Sequence, residues 1–307
     1  MQTSNLVYTH PGQDQMQVEV ILASATDTGS PPIYTIRMRY PRPIHGEIMT
    51  HRVFGRNARS SRAVPVKTML NEVRTIPYVP WHWGKNQKGM QADEECNEIV
   101  PIRNFRSEMK LGKLTDHTAK AAWLAASERA VEIAEAFMVA GYHKQNPNRL
   151  LEPFSWIDTL ITATDWKNFL WLRQHGAAEP HLQDLANLVA QAIDESNILR
   201  LTEYEWHLPY ITDQERATMN NEVLLQLSAA RCARISYKPF NGESSIEAEI
   251  NRYNLLVMDE RVHASPLEHQ AMPDTFWFKE WNNPHLHGNL TGWIQHRKLI
   301  PNEVYLS

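Results

Sequence analysis

Four arginines, one histidine and two adjacent serines are packed into the segment THRVFGRNARSSR, residues 50–62. Arginine donates paired hydrogen bonds to a phosphate, and serine hydroxyls and backbone amides supply further donors. The end of the segment, Ser60-Ser61-Arg62, therefore suits a bound anion. Gly55 and Asn57 favour a turn there over a continuing helix. On local evidence alone, an anion site and a solvated basic face are evenly matched.

Two more arginines lie beside apolar stretches, Arg149 in NPNRLLEPF and Arg173 in WKNFLWLRQH. An unpaired charge next to a core-forming run is costly, so each arginine needs a carboxylate partner or a ligand. Glu152 is one internal partner of this kind. Together with the serines, these arginines indicate a site for an anionic small molecule.

These segments resemble those of the flavin-dependent thymidylate synthases. That family has an RHRxxSxNExSxR signature, then an Arg-x-x-x-Pro segment and an NFLxLR helix; this chain has HRVFGRNARSSR, RLLEPF and NFLWLR in that order. Two segments from the family's N-terminal part resemble SAARCARISY (228–237) and HASPLEH (263–269), which lie near the C-terminus here. The resemblance therefore indicates a divergent, circularly permuted member.

A strand-like segment with a His-Arg element occurs twice, in residues 35–57 and again in TFWFKEWNNPHLHGNLTGWIQHRKLIPNE, residues 275–303. The spacing from His51 to Asn57 equals that from His296 to Asn302. The first copy departs from the signature at Thr50, Gly55 and Ala58, and the second ends before any Ser-x-Arg. A division of labour, with the first copy at the nucleotide phosphate and the second at the flavin, stands beside two alternatives: decay of one copy into scaffold, and chance similarity.

The resemblance implies reductive C5 methylation of dUMP to dTMP with FAD, NADPH and 5,10-methylenetetrahydrofolate. It implies catalytic roles for Ser60, Arg62 and Arg173, and substrate contacts from those three together with Ser61 and Arg149. The cofactor contacts that it implies are His51, Arg52, Asn57, Asn168, His263, Ser265, Glu268, His296, Arg297, Asn302 and Glu303. It also implies a homo-oligomer, either a tetramer or a dimer.

Several alternatives stay open for the reaction. One is flavin- and folate-dependent C5 hydroxymethylation of dUMP or dCMP, another is methylation of dCMP, and a third is an inactive nucleotide-binding relative. Thiolate catalysis is disfavoured for both cysteines. Cys96 lies among carboxylates in ADEECNE, and Cys232 belongs to a segment whose family counterpart has no nucleophile.

Bulk properties narrow the class of protein further. The formal net charge is −4 and the pI is near 6.4, so no overall basic field draws in nucleic acid or a membrane surface. The N-terminal residues lack a signal-peptide pattern, which predicts a cytoplasmic protein. The histidines show no metal-binding spacing, so no metal site is predicted.

Periodicity predicts a mixed α and β chain in which helices dominate. The resemblance implies an α+β fold like that of the flavin-dependent thymidylate synthases, rich in helices with a small, mostly antiparallel sheet, in permuted form with a duplicated strand and His-Arg element. One catalytic domain, 1–307, would comprise 15–78, a loop or lid at 79–112, a helical part at 113–224 and the permuted segment 225–307. The absence of a GxGxxG motif disfavours a Rossmann domain. Strands are predicted at 17–23, 33–40 and 275–280. Helices are predicted at 44–54, 64–77, 115–141 (capped by Thr115 or Asp116 and stopped by Gly141), 165–175, 179–196, 213–233 and 244–260.

Overall fold

The protein is described here from a computed structural model, which covers residues 6–90, 92–103, 114–235, 245–258 and 261–304. Within these ranges the fold is α+β, as predicted, with a small, mostly antiparallel sheet. The strands are β1 Val7–His10, β2 Gln13–Thr26, β3 Ile33–Pro41, β4 Gly55–Ala58, β5 Val100–Arg103, β6 Leu114–His117, β7 Trp156–Ala163, β8 Ile198–Leu201, β9 Ala271–Pro273, β10 Phe276–Trp277, β11 Glu280–Trp281 and β12 Trp293–Gln295. The helices are α1 His45–Ile48, α2 Val66–Thr75, α3 Ala119–Val139, α4 Gln145–Leu151, α5 Lys167–Arg173, α6 Pro180–Asp194, α7 Asp213–Thr218, α8 Asn221–Ala233 and α9 Ile246–Val257.

The main sheet has six strands in the order β1-β2-β3-β7-β4, with β8 paired to β2. All pairs are antiparallel except β2 with β8. Apolar residues alternate along β2 and β3, so one face of the sheet is apolar and is covered by α6. A second core forms where α2, α3 and α4 pack together. The short strand β4 therefore lies at one edge of the sheet, against the fully paired strand β7.

Most predicted elements are confirmed. The strands at 17–23 and 33–40 are parts of β2 and β3, and the predicted helices at 64–77, 165–175, 179–196 and 244–260 contain α2, α5, α6 and α9. The last of these ranges includes residues 244, 259 and 260, which lie outside the described part. Residues 79–99 have little regular structure, as predicted for a loop, and residues 100–103 then form β5; residues 91 and 104–112 are not described.

Helix boundaries differ from the prediction at three places. Residues 114–117 pair with β5 as β6, so α3 begins later and its cap is Thr118, whose Oγ1 accepts a hydrogen bond from Ala121 N at 3.3 Å. Gly141 does follow the helix end, with a φ of 82°. The predicted helix at 213–233 is two helices, because Met219 is extended and Asn220 caps α8. Within 44–54 only His45–Ile48 is α-helical, and Ile44 ends a short 3-10 helix before it.

The predicted strand TFWFKE is wrong. Phe278 and Lys279 have φ values of 48° and 70°, so the chain reverses between β10 and β11 and forms a separate hairpin. Its counterpart β3, in contrast, is a nine-residue strand inside the main sheet. The two sequence copies therefore do not have the same local structure.

No helix in the described ranges has both the length and the apolar character that crossing a membrane requires.

Candidate functional site

Ser60, Ser61 and Arg62 form a turn directly after β4, which we call the serine turn. The Arg62 amide donates a hydrogen bond to Ser60 Oγ at 3.3 Å. Ser61 is buried, whereas the Arg62 side chain is exposed. The strand before the turn excludes a helical face that would align Arg52, Arg56 and Arg59. The anion-binding groups that remain at the turn are therefore Ser60, the turn amides and Arg62.

Helix α4 holds the serine turn in place. Asn148 is fully buried, and its Nδ2 donates to Ser61 O at 2.7 Å and to Val64 O at 2.8 Å. The next residue, Arg149, is exposed on the same helix. Arg149 therefore lies on the helix whose Asn148 contacts the turn.

The arginines of the first segment have different environments. Arg59 donates two hydrogen bonds to Glu72, at 2.8 and 2.9 Å, so its guanidinium is held by the protein. Arg56 donates through its side chain to His51 O at 2.9 Å. Arg52 and Arg62 are exposed, and neither forms an ion pair with another described residue. Arg52 and Arg62 are therefore the members of this segment that could meet an anionic ligand.

At the opposite end of β4, segments far apart in sequence meet. Glu268, from HASPLEH, accepts a hydrogen bond from Arg56 N at 3.3 Å and pairs with the guanidinium of Arg297. Arg297 also donates to Glu303 at 2.7 Å. We call this region the motif junction and define it by Val53, Gly55, Arg56, Glu268, Asn289, Gln295 and Arg297.

Two amide side chains complete the motif junction. Asn289 Nδ2 donates to Val53 O at 3.0 Å, and Gln295 Nε2 donates to Glu268 O at 3.1 Å. Gln295 Nε2 also lies 2.9 Å from Asn289 Oδ1. The first His-Arg element, HASPLEH and the second His-Arg element are thus joined by side-chain hydrogen bonds at one end of the sheet.

The SAARCARISY segment reaches the same strand. Asn57 is buried on β4, and its Nδ2 donates to Cys232 O at 3.1 Å. Burial raises the pKa of the Cys232 thiol well above its ordinary value, so the thiolate is disfavoured. This environment agrees with the prediction that Cys232 is no nucleophile. Residues 236 and 237 of the segment lie outside the described residues.

Arg173 is not beside the serine turn. Its Nε donates to His51 Nε2 at 3.0 Å and its NH2 to Thr50 Oγ1 at 3.1 Å. Helix α5 follows the end of β7, whereas Ser60 lies near the beginning of β7, where Arg59 N binds Asp158 O. Five strand residues separate these ends, or about 17 Å. Within one chain, Arg173 and the serine turn therefore lie toward opposite ends of β7, and the catalytic role of Arg173 stays a prediction.

His51 is a neutral acceptor in this arrangement. Burial, together with the charges of Arg173 and Arg56, lowers the pKa of His51 to about 4. Its Nε2 therefore carries a lone pair toward Arg173 at neutral pH. His51 thus orients Arg173.

No family model matches this chain, and no curated protein is significantly similar to it.

The remaining predicted cofactor residues fall into two groups. Those with exposed side chains are Arg52, Asn168, His263, Ser265 and Asn302. Those engaged within the protein are His51, Asn57, Glu268, Arg297, Glu303 and His296, the last of which is buried with its Nε2 3.3 Å from the Tyr253 hydroxyl. Of the second group, Glu268 and Arg297 belong to the motif junction, whereas the first group is accessible to a ligand.

Sequence reasoning missed the residues that hold these segments together. Asn148 fixes the serine turn, Glu72 holds Arg59, and Asn289 and Gln295 bridge the motif junction. The only signal in the sequence is that Asn148 precedes Arg149 directly. Single polar side chains outside a motif give no indication of a partner that is far away in sequence.

Gly55 offers a stability test of the motif junction. A Cβ at this position would lie 3.3 Å from Asn289 Nδ2 and from Glu268 O, which is tighter than ordinary contact. We expect Gly55→Ala to lower the free energy of unfolding by about 1–3 kcal/mol, because the added methyl group forces the two segments apart. Chemical denaturation measures this change.

Gly46→Ala is the matched control for this substitution. Nothing lies within 4 Å of a Cβ at Gly46, which is in α1, so we expect a neutral or slightly stabilising effect. Equal stability of the Gly55 and Gly46 variants would show that the junction is loosely packed.

Proposed function

We propose that this protein is a flavin-dependent thymidylate synthase-like enzyme that methylates dUMP at C5 reductively, and that it belongs to that family in circularly permuted form. The observation that carries the proposal is the motif junction. Glu268 contacts Arg56 and Arg297, so three segments chosen by their resemblance to that family are in contact. Arg56 and Glu268 are 212 residues apart in sequence, and the resemblance of their segments to the family motifs does not depend on this contact.

The accessible side chains suit a dinucleotide such as FAD. Arg52, Asn168 and Ser265 offer guanidinium, amide and hydroxyl groups, which are the donors that a pyrophosphate and ribose require. We infer that these residues hold FAD, together with His263 and Asn302. When bound, the flavin supplies the hydride chemistry that no side chain provides. The role of Glu268 and Arg297 is then to fix the wall of this site.

The serine turn is the proposed site for the nucleotide phosphate. Ser60 and Arg62 supply a hydroxyl and an unpaired guanidinium, and Arg149 supplies a second exposed guanidinium on α4. Arg56 and Ser60 are four residues apart, so a nucleotide bound at the turn could extend about 13 Å along β4 toward the junction. In this arrangement the nucleotide phosphate binds after one end of β4 and the flavin binds at the other end.

Atom balance separates the proposed reaction from its main alternative. Transfer of the one-carbon unit from 5,10-methylenetetrahydrofolate to dUMP gives dTMP and tetrahydrofolate only if NADPH and a proton supply two hydrogens. Hydroxymethylation gives the same folate product but takes up water and consumes no NADPH. Replacement of the family's first signature serine by Gly55 is the feature that keeps the hydroxymethyl product, with dUMP or dCMP, as the second candidate.

Arg62→Ala tests the nucleotide site. We expect it to weaken dUMP binding by about 1.5–3 kcal/mol, because a charge-assisted bond to the phosphate is lost. The melting temperature should stay close to that of the wild type, since the side chain is exposed. Titration calorimetry measures the affinity. A lower melting temperature with unchanged dUMP affinity would show that Arg62 is structural instead.

Flavin binding is tested by titration of the purified protein with FAD, followed by addition of NADPH under anaerobic conditions. The proposal expects a stable yellow complex that is bleached by NADPH, and it expects dUMP to remain bound. Binding of dUMP with no affinity for FAD would support the inactive nucleotide-binding relative and would remove the redox function.

A further inference from the structure

One face of α3 is exposed and self-complementary. Six residues with successive spacings of four, four, three, four and four lie on one side of a helix with 3.6 residues per turn. All six are exposed, and the last is the helical residue that caps the C-terminus of α3. We call these residues the α3 stripe: Ala121, Ala125, Arg129, Glu132, Ala136 and Ala140.

The opposite side of α3 attaches the helix to the rest of the fold. Ser127, Val131 and Ala134 are buried there, and α3 packs on α2, α4 and the β5–β6 hairpin. Among the described elements, none covers the stripe. Beside it, Ile133, Phe137 and Tyr142 border an open groove of about 400 Å³. Apolar surface therefore continues from the stripe into this groove.

The order of residue types in the stripe is complementary about its centre, with alanine opposite alanine and arginine opposite glutamate. It reads Ala-Ala-Arg-Glu-Ala-Ala, with the midpoint between residues 130 and 131. A two-fold axis at this midpoint pairs Arg129 with Glu132 of a second copy, Ala125 with Ala136, and the outer alanines with each other. The alanines permit two helix axes to approach to about 8 Å.

Charge complementarity fixes the direction of the second helix. Arg129 and Glu132 bond to each other at 2.5 Å within one chain, and their side chains are 71% and 64% exposed. In an antiparallel pair each of these groups would meet the opposite charge of the other copy. In a parallel pair it would meet its own charge, which is repulsive. The pattern therefore fits a second copy of this chain in one orientation.

We propose that the α3 stripe is a homodimer interface at which two copies of this chain associate with antiparallel α3 helices. The contact covers the exposed side chains of Ile133 and Val139, which are 39% and 80% exposed in the single chain. The proposal requires neither flavin nor nucleotide, so its outcome is independent of the proposed reaction.

Charge reversal tests the electrostatic pairing. Arg129→Glu places like charges opposite each other at two symmetric positions, so we expect the dimer dissociation constant to rise roughly tenfold or more. Glu132→Arg should act in the same way, and the double variant should recover an affinity near that of the wild type. Sedimentation velocity over a concentration series measures the affinity, and circular dichroism checks that each variant is folded.

Arg74→Glu is the control for general charge effects. Arg74 pairs with Glu135, a residue of α3 outside the stripe. The two side chains are 45% and 44% exposed, so this is a surface ion pair like that of Arg129 and Glu132. This substitution should leave the dimer dissociation constant unchanged. Loss of the dimer in Arg74→Glu, or no response to Arg129→Glu, would overturn the proposed interface.

Cysteine cross-linking tests the orientation. In a Cys96→Ser background, the pair Ala125→Cys with Ala136→Cys should form disulfide-linked dimers, whereas Ala125→Cys alone should not. In the antiparallel dimer the two copies of position 125 are separated by eleven residues along the axis, or about 16 Å, too far for a disulfide. Cross-linking by Ala125→Cys alone, or a monomer at every concentration, would contradict the proposal.

Discussion

Replacement of Glu268 by alanine is expected to abolish most of the FAD affinity of this protein. Glu268 is the residue that contacts both His-Arg elements, through Arg56 N and the guanidinium of Arg297. Its loss leaves Arg297 with Glu303 and removes the side-chain hydrogen bond between HASPLEH and β4. We expect the FAD dissociation constant to rise about tenfold or more, and the free energy of unfolding to fall by about 1–3 kcal/mol.

Glu303→Ala is the matched control. Glu303 also binds Arg297, at 2.7 Å, and its side chain is similarly accessible, at 10% against 17% for Glu268. Among the described residues its hydrogen bonds go to Arg297 and Lys298 and none goes to β4, so its loss should weaken the hold on Arg297 and leave the Glu268–Arg56 bond in place. Flavin titration of both variants compares the two roles. Equal losses of FAD affinity would mean that Arg297 alone matters and that the bridge from Glu268 to the first element does not.

The second large effect is expected on the free energy of unfolding when the pH is lowered. Burial lowers the pKa of His207 and His269 to about 3 and that of His296 to about 4, all from an ordinary value of 6.5. His207 Nε2 is 2.8 Å from Thr35 Oγ1, and His269 Nδ1 is 2.9 Å from Thr162 Oγ1. These histidines are therefore neutral in the folded protein across the physiological range.

The sign of the pH dependence follows from proton uptake. Below pH 6.5 the unfolded chain binds protons that the folded chain excludes, so the free energy of unfolding falls as the pH falls toward 4. Each of the three histidines contributes about 1.4 kcal/mol per pH unit well below pH 6.5 and roughly half of that at pH 6.5, and its contribution is fully present only above about pH 7.5. Denaturation by urea at about pH 7.5, 6.5 and 5.5 measures this slope.

A histidine variant separates this cause from general acid effects. His207→Gln removes one of the three buried groups, so the slope between pH 6.5 and 5.5 should decrease by about 1 kcal/mol per pH unit even if the variant is less stable overall. The slope is the informative quantity, because lost packing lowers the free energy of unfolding by the same amount at every pH and leaves the slope unchanged. A stability that does not change between pH 7.5 and 5.5 would show that these histidines are already accessible to protons in the folded state.

Much of the fold could be predicted where one face of an element is apolar and the other polar. Strands β2 and β3 and helices α2 and α6 have such patterns, and their positions were predicted within a few residues. Strand β7 was missed because both of its faces are buried: WIDTLITA has no clear alternation, and it contacts β3 on one side and β4 on the other. A continuous apolar run does not distinguish such a strand from a buried helix.

The candidate site could be predicted only as a set of segments. The resemblance selected HRVFGRN, HASPLEH and HRKLIPNE, and the structure places Arg56, Glu268 and Arg297 from these three segments in contact. It could not predict which side chain contacts which, since those pairings depend on the turns around Glu268. The resemblance listed Arg173 with Ser60 and Arg62, although within one chain they lie toward opposite ends of β7, because a motif gives the order of residues and not the length of strand that separates them.

The repeated His-Arg element shows the limit of spacing as evidence. His51 and His296 have an asparagine at the same distance in sequence, yet Asn57 is buried on a strand and Asn302 is exposed with a φ of 61°. Equal spacing gives the two asparagines the same separation in sequence from their histidines. The backbone conformation between histidine and asparagine determines where each asparagine side chain points. The two copies join at the junction as different structures with complementary contacts.

Product analysis tests the central claim most directly. The purified protein is incubated with FAD, NADPH, 5,10-methylenetetrahydrofolate and either dUMP or dCMP, and the nucleotide is analysed by mass spectrometry while NADPH oxidation is followed. Reductive methylation predicts that dUMP gains one methylene unit and that one NADPH is consumed for each product molecule. Both nucleotides recovered unchanged from the flavin-loaded protein, or a hydroxymethyl product formed without NADPH consumption, would contradict it.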